Sequence, residues 1–433
     1  MTATVDMGLA GGPPAVLPPR ARHVAAVAAG NALEFYDFLT YAFFAAQIGR
    51  TFFPSADPAW SLLASLATFG AGFLMRPVGA MVIGRLGDRI GRKPAMLLTF
   101  VLMGVAMVGL ALTPGYRSIG VAAPALAILC RLVQGFALGG EVGPNTAYLV
   151  EAAPPGRRGL YVAFQFMSQD VAILASGLIG LALSSAMNDA ALDAWGWRAA
   201  FLVGAVIIPF GLLLRRELTE TLSITPVTMR TAGRGRPLGL IILLGLAMLT
   251  GGTVVTYVLN YLTTYASATL HMPTRVSFLP AAAMGLTGAV FAPLGGWLSD
   301  RVGRRWVMIF PWAALLVLGV PAFQLLAHER SVLVLVGMAV AFRMCSAMSF
   351  PPVLTSVAES LPPGMRAGGL GMIYAFAISV FGGTTQFGVA WLTRATGSPL
   401  APGWYMTAAV AVAMVAMLLM PETAPGKAVK AQA

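Results

Sequence analysis

Gly84-Arg85-Leu86-Gly87-Asp88-Arg89-Ile90-Gly91-Arg92-Lys93 is a charged, glycine-rich stretch set between two long apolar runs. The pattern returns 212 positions later as Gly296-Trp297-Leu298-Ser299-Asp300-Arg301-Val302-Gly303-Arg304-Arg305. The same shift carries Arg131 onto Arg343, and a shift of 208 carries Glu151, Pro154, Pro155 and Gly156 onto Glu359, Pro362, Pro363 and Gly364. Matches of this length at two nearly equal spacings mean that the chain is two halves of one design.

Working outward from the repeat, the flanking runs explain the composition. Of 433 residues 58% are hydrophobic and 10% charged, and the mean hydropathy is +0.80, far from a soluble domain. A spanning helix needs about 20 mostly apolar residues. Twelve runs qualify, at roughly 24 to 48, 59 to 83, 95 to 113, 121 to 149, 160 to 186, 198 to 214, 238 to 266, 276 to 297, 306 to 327, 331 to 358, 367 to 392 and 402 to 421. The expected fold is therefore an all-α membrane protein with twelve transmembrane helices in two pseudo-symmetric six-helix bundles. The bundles cover 23–214 and 238–421, the arginine-rich segment 215–237 links them, and 1–22 and 422–433 are tails.

The net charge of +12 reports topology. With the amino terminus inside, 19 lysines and arginines fall on the cytoplasmic side, clustered at Arg85 to Lys93, in the linker and at Arg301 to Arg305. The opposite side holds Arg50, Arg117, Arg198, Arg275, Arg330 and Arg394. This is the positive-inside bias, and it argues against nucleic acid as a partner. The first run has no small-residue cleavage site after it and reads as a retained helix. Cys130 and Cys345 fall inside spans and read as packing residues. Trp195 and Trp197 read as interfacial anchors.

An ion inside a membrane is costly and normally faces a cavity or a partner. The first span carries Asn31, Glu34 and Asp37 near mid-bilayer within an arc of about 120°. Either acid is a candidate proton carrier or one side of a structural salt bridge. Arg76 ends the second span as a structural or gating cation. In the fourth span Arg131, Gln134, Glu141 and Asn145 share one face, with Tyr148 beside them. Arg131 needs an anionic partner, for which Asp37 and a substrate carboxylate compete; protonation of Asp37 would free Arg131 for substrate.

The fifth span offers Gln165, Ser168, Gln169 and Ser176 for hydrogen bonding, with Asp170 off that face and open to a partner elsewhere. The seventh offers Thr253, Tyr257, Asn260 and Thr264, the tenth Arg343 with Ser346 and Phe350, and the eleventh Tyr374 and Thr385. For the neutral residues helix–helix hydrogen bonding is as good a reading as ligand contact. Asp88, Arg89, Arg92, Asp300, Arg301 and Arg304 read as a gate latch. His23, His271 and His328 lie at membrane edges, so a carboxylate must carry any proton. No zinc, nucleophile-elbow, Walker or dinucleotide motif stands in a usable context. The readings this leaves are an ion-driven carrier or a uniporter, against a membrane enzyme or sensor.

The doubled Gly-x-Leu-x-Asp-Arg-x-Gly-Arg-Lys/Arg stretch, with Arg131-Leu132-Val133-Gln134-Gly135, resembles the major facilitator superfamily over nearly the whole chain. Within it Gly30-Asn31-Ala32-Leu33-Glu34-Phe35-Tyr36-Asp37-Phe38, Gly72-Phe73-Leu74-Met75-Arg76-Pro77-Val78-Gly79, Gln134-Gly135-Phe136-Ala137-Leu138-Gly139-Gly140-Glu141 and Trp195-Gly196-Trp197-Arg198 resemble the metabolite:proton symporters. Thr113-Pro114-Gly115-Tyr116, the Gln165 to Gln169 stretch and the short linker are most similar to the citrate and tricarballylate carriers.

The resemblance implies a monomeric inward symporter of the bacterial inner membrane, both termini cytoplasmic, driven by the proton gradient without a cofactor. Its central site would lie between the bundles, with alternating access. The expected substrate is a di- or tricarboxylate such as citrate or tricarballylate. Substrate binding falls to Arg131, Arg343, Asn31, Gln134, Gln165, Gln169, Tyr257, Asn260 and Tyr374, and proton coupling to Asp37 with Glu34 or Glu141. Gating falls to the repeated stretch with Arg76. Asp170, where citrate-type carriers have Gln, and Gly140-Glu141-Val142-Gly143-Pro144 depart from the citrate pattern. The rivals of the same fold are a zwitterion carrier of the proline or betaine type, whose cavity should be aromatic, and a drug exporter, which should tolerate loss of Arg131.

Overall fold

In the computed structural model, residues 31–32, 35–90, 92–139, 149, 153–154, 156–205, 237–362 and 366–424 are described. Among them nine helices are long and apolar enough to cross a membrane: Pro58–Ile83, Ala122–Gly139, Arg158–Ala186, Leu238–Thr269, Thr274–Val302, Arg304–Glu329, Val332–Ser360, Gly369–Thr396 and Ala401–Leu419. The shorter apolar helix Leu97–Leu112 is the third span. The first and sixth are described in part, over 31–32 and 35–52 and over 197–205. Helices satisfy every backbone N–H and C=O internally, which the apolar medium requires.

Helix ends follow from local chemistry. Pro58 opens the second span, and the Asp57 side chain accepts from the Ala59 N–H at 2.9 Å, an N-cap with proline at the first helical position. Ser331 caps the tenth span in the same way at Leu333. The repeated stretch is less of a loop than its glycines and charges suggest. Its first copy continues a helix that runs Arg76–Ile90 and resumes at Arg92. Its second copy turns at Gly303, whose φ of 115° a side chain would strain.

The two halves meet most closely along the fifth and eighth spans. Small residues let these backbones touch: a Cβ on Gly285 would stand 2.2 Å from the backbone nitrogen of Leu174, the small-residue packing that replaces a hydrophobic drive inside lipid. At one end Thr264 Oγ1 donates to the Ala42 carbonyl at 3.3 Å, Phe44 lies 4.9 Å from Phe278, and Arg394 pairs with Asp57 at 2.6 Å. At the other end Asp300 reaches the start of the fifth span. The halves therefore touch above and below the centre, in an occluded arrangement.

Candidate functional site

Between the halves lies a chamber of about 40 Å³, room for about three waters. Phe35 of the first span, Phe166 and Gln169 of the fifth, Thr253, Thr256 and Tyr257 of the seventh, Arg343, Ser346, Ala347 and Phe350 of the tenth, and Tyr374 and Ile378 of the eleventh line it. Its cation is Arg343, which does not stand alone. Nε donates to Asp170 Oδ1 at 2.8 Å, Nη2 donates to the same oxygen, and Asp170 is wholly buried. The pair joins the fifth span of one half to the tenth of the other.

A second ion pair sits inside the first bundle. Arg131 Nη1 donates to Gln134 Oε1 at 2.6 Å, and Gln134 Nε2 donates to Asp37 Oδ1 at 3.1 Å. The arginine stands 3.9 Å from Asp37 Oδ2. Beside them is a space of about 10 Å³ lined by Asp37, Phe38, Gly72, Arg76, Met103, Arg131, Gln134, Gly135 and Leu138, enough for about one water. Aromatic rings close it. The Arg131 guanidinium lies 4.6 Å over Tyr41, that of Arg76 lies 4.1 Å over Phe73, and Phe38 and Phe73 stand 5.9 and 5.5 Å from Tyr257. Since Tyr257 also lines the chamber, one aromatic layer separates the two sites.

The structure sorts the expected substrate residues by position. Arg343, Gln169, Tyr257 and Tyr374 line the chamber. Arg131 and Gln134 do not, because their polar groups turn toward Asp37 in the bundle interior. Asn31 donates to the Gln165 carbonyl and to Ser168 Oγ at 3.2 and 2.8 Å, joining the first span to the fifth, so Asn31 and Gln165 hold helices together. Asn260 is buried outside the chamber lining. Glu34 and Glu141 lie outside the described residues, as do Asn145 and Tyr148. Trp197 is no interfacial anchor: it is buried against Phe52 and donates to the Asp193 carbonyl.

Sequence reasoning missed the partnership of Asp170 with Arg343. A signal for it existed. The seventh span, the repeat counterpart of the first, contains no acid, so the repeat mate of Arg131 has no counterpart of Asp37 in its own half. A buried arginine without a local acid must find one elsewhere, and the fifth span held an acid without a partner.

At the Asp300 end, the carboxylate accepts from the N–H groups of Gly159 and Leu160, both at 3.0 Å, and from Arg304 Nη1 at 2.7 Å. A carboxylate at a helix start satisfies free N–H groups and meets the positive end of the dipole. Arg304, fully buried, also grips Glu359 through Nε and Nη2, each at 3.2 Å. Glu422 accepts from the backbone N–H groups of Arg304 and Arg305 at 2.9 and 3.0 Å. Arg301 stays outside this cluster, 4.2 Å over Trp297. The side chains of Asp88, Arg89 and Arg92 lie outside the described residues.

The family model described as Major Facilitator Superfamily matches residues 38–382 and 279–433. The chain belongs to the major facilitator superfamily. The citrate-proton symporter of Salmonella typhi is 36% identical over 91% of this chain and 92% of its own length. The alpha-ketoglutarate permease of Escherichia coli (strain K12) is 34% identical over 92% and 93%. A proline/betaine transporter of the same organism is 31% identical over 93% and 83%. Among solved structures, the partially occluded inward-open xylose transporter of E. coli superposes with a TM-score of 0.75 at 16% identity, covering 93% of this chain and 98% of that one. That likeness concerns the fold. As a member of this superfamily the protein is a multi-pass membrane transporter and not an enzyme.

Proposed function

We propose that this major facilitator protein is a proton-coupled symporter of the bacterial inner membrane that takes up a small organic anion, with both termini cytoplasmic. Arg343 is the observation that carries the reading. It is the cation lining a chamber between two rocking halves, and a guanidinium fork suits a carboxylate better than any other side chain does. Gln169, Tyr257 and Tyr374, with Ser346 and Thr253, supply hydrogen bonds for the rest of the substrate. The similarity to citrate and 2-oxoglutarate carriers favours a di- or tricarboxylate such as citrate or tricarballylate.

Asp37 holds a transported proton in this reading. Its Oδ2 is buried without a hydrogen-bond partner among the described residues, so a proton there displaces no existing bond. The aromatic layer of Phe38, Phe73 and Tyr257 lies between that proton and the chamber and transmits a change at either site by packing. Asp300 and Arg304 latch the cytoplasmic end, and Asp88, Arg89 and Arg92 serve the same role through the repeat.

One observation favours a second reading. Phe35, Phe166, Tyr257, Phe350 and Tyr374 make much of the chamber wall aromatic, which suits the quaternary or secondary ammonium of a betaine or proline. Uptake of labelled citrate, tricarballylate, 2-oxoglutarate, proline and glycine betaine into proteoliposomes, with and without a gradient that drives protons inward, decides between them. Carboxylate accumulation that collapses with the gradient is the expected result. Uptake confined to the zwitterions would establish the second reading, and uptake indifferent to the gradient would end proton coupling.

A further inference from the structure

Asp170 and Arg343 lie about 18 Å and about 17 Å into their helices at 1.5 Å per residue, so both charges are held near mid-membrane. The contact is lopsided. Two donors of Arg343 converge on Asp170 Oδ1, while Oδ2 is buried with no hydrogen-bond partner among the described residues. The eighth span presses on the carboxylate: a Cβ on Gly288 would lie 2.3 Å or less from either oxygen. Arg343 is the charged group facing Asp170, and neighbouring Gln169 lines the chamber with Arg343. Asp170 is closed to solvent, whereas Arg343 lines the chamber.

Among the described residues, a substrate carboxylate entering the chamber has one cation to bind, already held by Asp170. If the substrate takes Nε and Nη2, the displaced carboxylate stays in a dry contact with the Gly288 backbone, where an unpaired charge is strongly unfavourable. A proton on Oδ2, which has no hydrogen-bond partner among the described residues, would remove that unpaired charge. The pair also crosses from one half to the other, so it ties the halves together while the chamber is empty.

We infer that Asp170 is a second proton-binding residue of the transport cycle: it occupies Arg343 in the empty chamber and takes up one proton when a substrate carboxylate displaces it. The proton enters from the side to which the chamber is open. It leaves on the other side when the substrate departs and Asp170 returns to Arg343. The inference rests on the carboxylate reading above and assigns a role to the acid that departs from the citrate pattern.

The test is transport of labelled 2-oxoglutarate in proteoliposomes from about pH 6 to about pH 8, where both of its carboxylates stay largely ionised. Because ionised Asp170 withholds Arg343, the wild-type KM should rise about tenfold or more across this range, as the competent fraction falls. In Asp170→Asn the KM at the alkaline end should fall below the wild-type value, and the rise in KM from the acid to the alkaline end should shrink about fivefold or more, leaving the part that Asp37 contributes. An Asp170→Asn KM that follows the wild-type pH profile would overturn the inference, as would loss of carboxylate binding with the protein still folded by thermal melting.

A second measurement does not depend on that variant folding. 2-Oxoglutarate added to detergent-solubilised Asp37→Asn protein near about pH 7.5 should still draw about one proton from a weakly buffered dye solution, since Asp170 is intact. No proton uptake on 2-oxoglutarate binding would refute the role. If the wild type transports no carboxylate in the first assay, the carboxylate reading falls and takes this inference with it. If the wild type binds carboxylates but Asp170→Asn behaves as wild type, the inference alone falls.

Discussion

Asp37 with Arg131 and Asp170 with Arg343 are both buried acid–base pairs, yet they are built for different strains. The first lies within one bundle, between the first and fourth spans, and is bridged by Gln134 rather than closed directly. The second is direct and spans both bundles. Rocking the halves moves nothing within the first pair and must stretch the second. Proton binding alone suffices to change the first pair. In the proposed transport cycle the second pair couples charge to the relative position of the halves, because its partners stand on opposite sides of their interface.

The largest effect should come from cutting the first pair. Arg131→Ala leaves Asp37 buried without its countercharge, and a broken buried pair costs about 3–5 kcal/mol. A lower melting temperature in detergent should show this, and the double variant Arg131→Ala with Asp37→Asn should recover most of it. Full stability in the single variant would mean that Asp37 is already neutral there and that the pair is not ionic.

Arg343→Lys should sharpen the contrast, since a lysine offers a point charge where the guanidinium offers a fork. Carboxylate KM should rise about tenfold, which is about 1.4 kcal/mol, with little change in melting. Arg131→Lys should leave KM within about twofold, since Arg131 lies outside the chamber. Equal KM changes in the two variants would erase the distinction between a binding and a coupling arginine.

Gln134→Leu should lower stability by less than Arg131→Ala does, by about 1–3 kcal/mol for the donors and acceptors it strands. Its readout in transport is a changed response to the proton gradient with KM for substrate held. An unchanged gradient response would show that the bridge does not tune Asp37.

The smallest effect is expected at the exposed pair of Asp57 and Arg394. The Ala59 N–H and then Arg394 hold the Asp57 carboxyl below the usual aspartate range. Its stabilisation is therefore complete above the ordinary aspartate value near about 4, and it is lost as the pH falls through the lowered folded value. Asp57→Asn should barely move the melting temperature at neutral pH, because solvent screens exposed charges. That small difference should vanish in acid. A large neutral-pH loss would make this outer contact a gate as firm as the buried ones.

Much was legible in the order of residues alone. The lengths of the apolar runs set the number of spans, the recurrence of Gly84 to Lys93 at Gly296 to Arg305 showed the duplication, and the expense of charge in hydrocarbon singled out Asp37, Arg76, Arg131, Asp170 and Arg343 as the residues to explain. These follow from one dimension of information, since a run long enough to cross and an ion unable to face lipid need no neighbour to be identified. Tertiary structure decided which acid meets which arginine. Periodicity placed Arg131 and Gln134 on one face of a helix but not what that face looks at, and it looks into its own bundle. The repeat suggested that Arg131 and Arg343 share a cavity; only Arg343 lines it. The acid of the first span has no copy in the seventh, so the second arginine reaches across the interface to Asp170, a meeting set by how helices from two halves pack.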